Sequence, residues 1–143
     1  MAISSAVCTS FKVEILKGVH NFTASSGDTF KLALYTSDAS LGASTTAYTT
    51  SNEVSGSGYT AKGNALTSVT PVADSTTAVC DFADTSFTSA SFTARGCMIF
   101  NDSATGDPAV CVIDFGADKT VTSGTFTIQF PTADASDAII RIA

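Results

Sequence analysis

The sequence predicts a mainly β domain, a two-sheet antiparallel sandwich of about eight strands with one N-terminal helix. Three observations lead there. Downstream of Gly27, apolar residues alternate with polar ones instead of recurring at helical spacing. The alternating segments are short and separated by turns rich in Ser, Gly, Asp and Pro. Helical periodicity is confined to one stretch near the start. At 143 residues the chain is the size of one domain, able to bury roughly 68–70% of the surface its unfolded form exposes. It divides into an arm and helix over 1–20 and a β-sandwich over 28–143.

The helix is expected over about Ser5–Lys17, which lacks Gly and Pro and repeats Cys8, Phe11, Ile15 and Leu16 on one face, with Val7, Phe11 and Ile15 as an adjoining row. Gly18 stands where it should stop. Phe30, Leu32 and Leu34 alternate with Thr29, Lys31, Ala33 and Tyr35 as a half-buried strand. Further strands are expected at about Gly58–Lys62, Ala65–Val69, Thr77–Phe82, Ser91–Asn101, Ala109–Phe115, Gly124–Phe130 and Ala138–Ile142. Turns fall at Ser25–Asp28, Ser55–Gly58, Asp102–Pro108 and Thr122–Gly124. The tract Thr36–Val54, rich in Ser, Thr and Ala, reads as a long irregular loop or a short helix packed on the sheet by Leu41 and Tyr48. An internal echo, Cys80-Asp81-Phe82-Ala83-Asp84 before Phe92-Thr93 against Ile113-Asp114-Phe115-Gly116-Ala117-Asp118 before Phe126-Thr127, reads as equivalent hairpins of two facing sheets.

Only 14% of residues are charged, against about 25% in ordinary domains. Roughly half are Thr, Ser, Ala or Gly, which gives a neutral, hydroxyl-rich exterior suited to permanent neighbours. The net charge of -6 and the scatter of Lys12, Lys17, Lys31, Lys62, Arg95, Lys119 and Arg141 argue against nucleic acid, which needs clustered cations. No apolar run has the ~18 residues of a membrane span, so no membrane partner is expected. The start, Met1–Ser10, carries no secretory pattern. Synthesis in a cytosol is therefore expected, with Cys8, Cys80, Cys97 and Cys111 as buried free thiols.

The residues do not assemble a recognisable catalytic pattern. His20 is the one histidine, too few for most triad or metal designs, and it reads as a helix-end cap or a partner for a backbone carbonyl. The cysteines have no zinc-type spacing. Acidic turns around Asp81, Asp84, Asp114 and Asp118, or Asp102 and Asp107, offer oxygen ligands for calcium, but Asp in turns ordinarily bonds its own backbone. The stretch Gly58–Asn64 departs from a phosphate loop, since Asn64 and Ala65 stand where Lys and Ser or Thr are required. No catalytic residue, metal or cofactor is expected.

The run Asp28–Ser37, then Leu41-Gly42-Ala43, Ala47-Tyr48, Asn52-Glu53-Val54 and Gly56–Ala61, resembles a family of small structural proteins of tailed bacteriophages. Val112–Gly116, Gly124–Ile128 and Ala138–Ile142 extend the resemblance to nearly the whole chain. It implies a capsid cement or decoration protein: a jelly-roll-like sandwich, present as a homo-oligomer (dimer or trimer), bound to the major capsid protein on the outside of the virion and made in the host cytoplasm. The expected contact surface is the arm Ala2, Ile3 and Ser4 with the apolar row Val7, Phe11 and Ile15, joined by Leu41 and Tyr48 from the long loop. The alternative is a receptor- or glycan-binding module of a head or tail fibre, using the loop Thr36–Val54 and Tyr48.

Overall fold

The computed structural model describes residues 2–143. It is mainly β, with two antiparallel sheets and one short helix. In chain order the elements are β1 (Ala6–Val7), α1 (Thr9–Leu16), β2 (Phe30–Tyr35), β3 (Asn64–Ala65), β4 (Ser68–Asp74), β5 (Thr77–Phe82), β6 (Thr85–Asn101), β7 (Ala109–Ile128) and β8 (Ile140–Ile142). The larger sheet runs β1-β7-β6-β2-β3 and the smaller β4-β5-β8.

The helix is shorter than its periodicity predicts. Ala6 and Val7 pair with Val112 and Cys111 of β7, so the backbone is extended up to Cys8 and helical only from Thr9. Sheet pairing outweighs helix propensity here, a tertiary effect that local spacing does not carry. Of the predicted apolar face, Cys8 and Phe11 are buried, Ile15 is half-buried and Leu16 is 89% exposed. Gly18 ends the helix as predicted, at φ +73°.

β2 lies where predicted, but it is buried on both faces. Leu32 and Leu34 share one face with Ile99 and Cys97, while Ala33 and Tyr35 share the other with Met98 and Gly96. The smaller sheet and the segment His20–Phe22 cover the first face, where Phe22 stacks on Phe30 at 4.2 Å and Phe82 meets Phe30 at 5.9 Å. The tract 36–54 covers the second. Leu41 forms a bridge to Ile3, Glu53 a bridge to Tyr35, and Tyr48 stacks on Phe100 at 4.8 Å.

Other elements depart from expectation where turn-forming residues serve a different purpose. Gly58–Lys62 is not a strand but a turn, with Gly58, Lys62 and Gly63 at positive φ. Ala65–Val69 is split between the sheets, because the chain leaves β3 at Ala65 and enters β4 at Ser68. β6 begins earlier than predicted, and β8 begins at Ile140. Ala109–Phe115 and Gly124–Phe130 belong to one strand, β7, in which Thr122–Gly124 is a bulge and not a turn: the register slips by one between Ala90↔Gly124 and Phe92↔Val121, with Ser123 at φ 46°. The echoed segments are accordingly not equivalent hairpins. One is the β5–β6 connection and the other lies inside β7.

Candidate functional site

The reactive side chains are bound to the chain itself. His20 is buried among Phe11 and Phe30, with ring centroids 4.9 and 6.2 Å away. Its partners are side chains and not a backbone carbonyl. Asn101 donates to Nδ1 at 3.1 Å, so Nε2 carries the proton and donates to Glu14 Oε1 at 3.0 Å. Asn101, with no exposed surface, donates its second amide hydrogen to Asp28 at 2.9 Å and accepts from the Ser103 and Ala104 N–H groups. Every polar atom of this buried group is occupied by a structural partner.

A second cluster ties the loops to β2. Glu53 accepts from Tyr48 Oη at 2.6 Å, from Tyr59 Oη at 2.5 Å and from the Lys62 N–H at 2.8 Å. Tyr59 Oη also accepts the Leu34 N–H at 2.9 Å. Burial, reinforced by the hydrogen bond to Glu53, pushes the Tyr48 hydroxyl up to about 12 and Tyr59 further in the same direction. The Lys62 ammonium bridges Asp102 at 3.0 Å and Asp107 at 2.8 Å, and Lys31 reaches Asp102 at 3.3 Å. Burial would raise the Asp102 carboxyl, but the two lysines outweigh it and hold the group below its usual range.

The acidic turns are engaged in the same manner. Asp84 accepts the Phe130 N–H, Asp114 the Gly116 N–H, and Asp118 pairs with Arg95 at 2.9 Å. Among the described residues, no three His, Cys, Asp or Glu side chains are grouped to hold a metal ion, and no helix is long and apolar enough to cross a membrane. All four cysteines are free and buried. Burial alone pushes Cys97 up to about 12, and burial with the nearby Asp81 charge does the same for Cys80; neither is a poised nucleophile.

The residues proposed as a contact surface are dispersed by the fold. Ile3, Phe11 and Leu41 are buried in this chain's own core, Val7 and Tyr48 are half-buried, and Ala2 and Ser4 are exposed. Comparison with protein-family models, curated proteins and solved structures finds no match to this chain.

Surface available to a partner lies elsewhere. The hairpin β6–β7 runs beyond the larger sheet as a two-stranded ribbon, Thr85–Ala94 against Lys119–Ile128. Its outer face carries hydroxyls, with Ser86 bonded to Thr127 at 2.9 Å and Thr93 to Thr120 at 2.8 Å. Its inner face carries Phe87, Phe92 and Phe126. Where the smaller sheet stops short of this face, an apolar groove of about 610 Å³ opens, walled by Ile113, Phe115, Phe126, Ile128, Phe130 and Ile139. The helix adds Val13, 50% exposed, and Leu16. The groove is not evident in the sequence because Thr122–Gly124 reads there as a turn that divides β7 into two strands. The usable signal was the run Thr120–Pro131, which has no charged residue.

Proposed function

We propose that this chain is a structural subunit of a tailed-bacteriophage particle, a cement or decoration protein that binds the major capsid protein on the outer shell and performs no chemistry. The observation that carries the reading is the division of labour among its polar groups. His20, Asn101, Glu53 and Lys62 are spent on bracing loops against the larger sheet, while the outward face of the ribbon is made of uncharged hydroxyls. A braced β body with weakly charged outer faces suits a protein held in place by neighbours and stabilising them through contact area. The exposed Val13 and Leu16 of the helix supply apolar surface for a shell contact.

The receptor- or glycan-binding alternative has less support. Tyr48, the aromatic on which that reading depends, stacks on Phe100 and gives its hydroxyl to Glu53, so the loop 36–54 is a packed layer of the body.

Copy number in purified particles tests the proposal. Quantitative mass spectrometry against the major capsid protein should return hundreds of copies per particle, and electron microscopy should place the density on the shell lattice. A few copies, confined to the tail, would overturn it.

A further inference from the structure

An unprotected strand edge is a template for pairing with another chain, and folded proteins ordinarily blunt it. This chain does so at most of its edges. β1 and β3 have two residues each and β8 has three. β4 carries Pro71 and a bulge between Val69 and Val72. The outer edge of β6, beyond its pairing with β2, is covered by the segment Gly56–Gly58: Ser57 bridges Ser91, and a Cβ at Gly56 would stand 2.5 Å from the Ser91 carbonyl oxygen.

The outer edge of β7 is the longest one left open, interrupted only by the bulge at Thr122–Gly124. β1 pairs with it only at Cys111 and Val112. Among the described residues, β7 from Lys119 to Ile128 pairs with β6 on one side and with no strand on the other. Lys119 is the one charge in that span, and no proline interrupts it before Pro131. The apolar groove lies alongside, walled by Phe115, Phe126 and Ile128 of the same strand.

We propose that this edge pairs antiparallel with the same edge of a second copy about a two-fold axis between Ser123 and Gly124, joining the two larger sheets into one. A two-fold axis presents one patch to itself, so the patch must complement itself. In this register it does. Val121 stands opposite Phe126 of the second copy, Thr120 opposite its Thr127 and Thr122 opposite its Thr125. These are aromatic with β-branched and threonine with threonine pairs, which favour adjacent strands. The β7 bulge keeps Val121 on the same face as Phe126, since their partners Phe92 and Phe87 both point inward. Lys119 falls opposite Ile128 and never meets its own copy, so no like charges face each other across the junction. The paired length is about 33 Å. Edge pairing alone falls short of the about 800 Å² per partner of a standard interface, so the apolar groove beside the edge must be covered in the same dimer.

This pairing stands apart from the virion reading, because it is measured on the purified chain without particles. Sedimentation over the micromolar range should give twice the chain mass of 14.5 kDa. The double variant Thr122→Lys with Thr125→Lys sets like charges opposite each other twice across the axis and should weaken the dimer roughly tenfold or more, with unchanged circular dichroism. Mixing it with the Thr122→Glu, Thr125→Glu variant should restore the doubled mass, which a folding defect would not allow. A wild-type chain that sediments at the single-chain mass, or an oligomer whose mass ignores the lysine pair, overturns the proposal.

Discussion

Asn101, at the end of β6, donates to Nδ1 of His20 across a sequence separation of 81 residues, and the contact is completely buried. It fixes the imidazole as the tautomer that donates to Glu14, and so fastens the helix to the larger sheet. The second amide hydrogen and the carbonyl oxygen of Asn101 hold Asp28 and the start of the β6–β7 turn. Asn101→Leu keeps the volume but strands the buried His20 Nδ1, and it takes one bond each from Asp28 and from the Ser103 and Ala104 N–H groups, which water can reach. Leaving the buried imidazole nitrogen unsatisfied costs about 1–3 kcal/mol, and each hydrogen bond given up by a partner that water can reach costs about 1 kcal/mol or less. A total loss of about 3 kcal/mol is expected from the urea midpoint, and a loss below about 1 kcal/mol would show that the network does not brace the fold.

Tyr59 joins Glu53 to the backbone of β2 through one hydroxyl, donating to the carboxylate and accepting from Leu34. Tyr59→Phe removes both bonds while its ring still packs on Phe87 at 5.5 Å. A cost of about 2 kcal/mol is expected, because one of the abandoned groups is charged. Combined with Glu53→Gln, the two losses should fall short of adding, since both variants break the same bond. Additive losses would place the energy elsewhere.

The class of the fold was legible in the residues because alternation survives any rearrangement of strand order. Thr77–Phe82 and Phe30–Tyr35 were found within a residue or so for that reason. Continuity was not legible. Ser123 and Gly124 carry the same turn chemistry whether they reverse the chain or bulge within it, and only the facing register on β6 decides between them. The start of α1 failed likewise, since the pairing of Val7 with Cys111 belongs to a partner over a hundred residues away. As for contact residues, Ile3 and Leu41 are apolar enough for an interface, but apolar character does not say whether the cover comes from this chain or from another. Here they cover each other through a strand bridge.

The thiols make the fold sensitive to alkali. Burial raises Cys8 to about 11, with Glu14 adding to it, and raises Cys97 from the ordinary 9.0 to about 12. A raised folded value means that stability is complete below about pH 9 and is lost as pH rises from there toward 11 to 12, because only the unfolded chain releases the protons. Each thiol contributes a slope of up to about 1.4 kcal/mol per pH unit in that window. Urea midpoints should be flat from neutrality to pH 9 and fall beyond it, less steeply for Cys97→Ala. At pH 8 a disulfide reagent should label the thiols only at the rate of opening. Rapid labelling of the folded chain would contradict the burial argument.

Two glycines with similar backbone angles separate strain from collision. Gly63 has φ +70° and Gly106 φ +85°, a region that costs other residues about 1–2 kcal/mol. At Gly106 an added Cβ meets nothing within 4 Å, so Gly106→Ala should cost about 1 kcal/mol. At Gly63 the Cβ would stand 1.8 Å from the Leu32 carbonyl oxygen, and that atom is backbone of β2, an interior strand paired on both sides. The turn cannot move away without pulling the Lys62 N–H from Glu53 and its ammonium from Asp102 and Asp107. Gly63→Ala should therefore cost about 3 kcal/mol or more in urea unfolding. Equal costs at the two positions would mean that the close approach to β2 is not what requires glycine there.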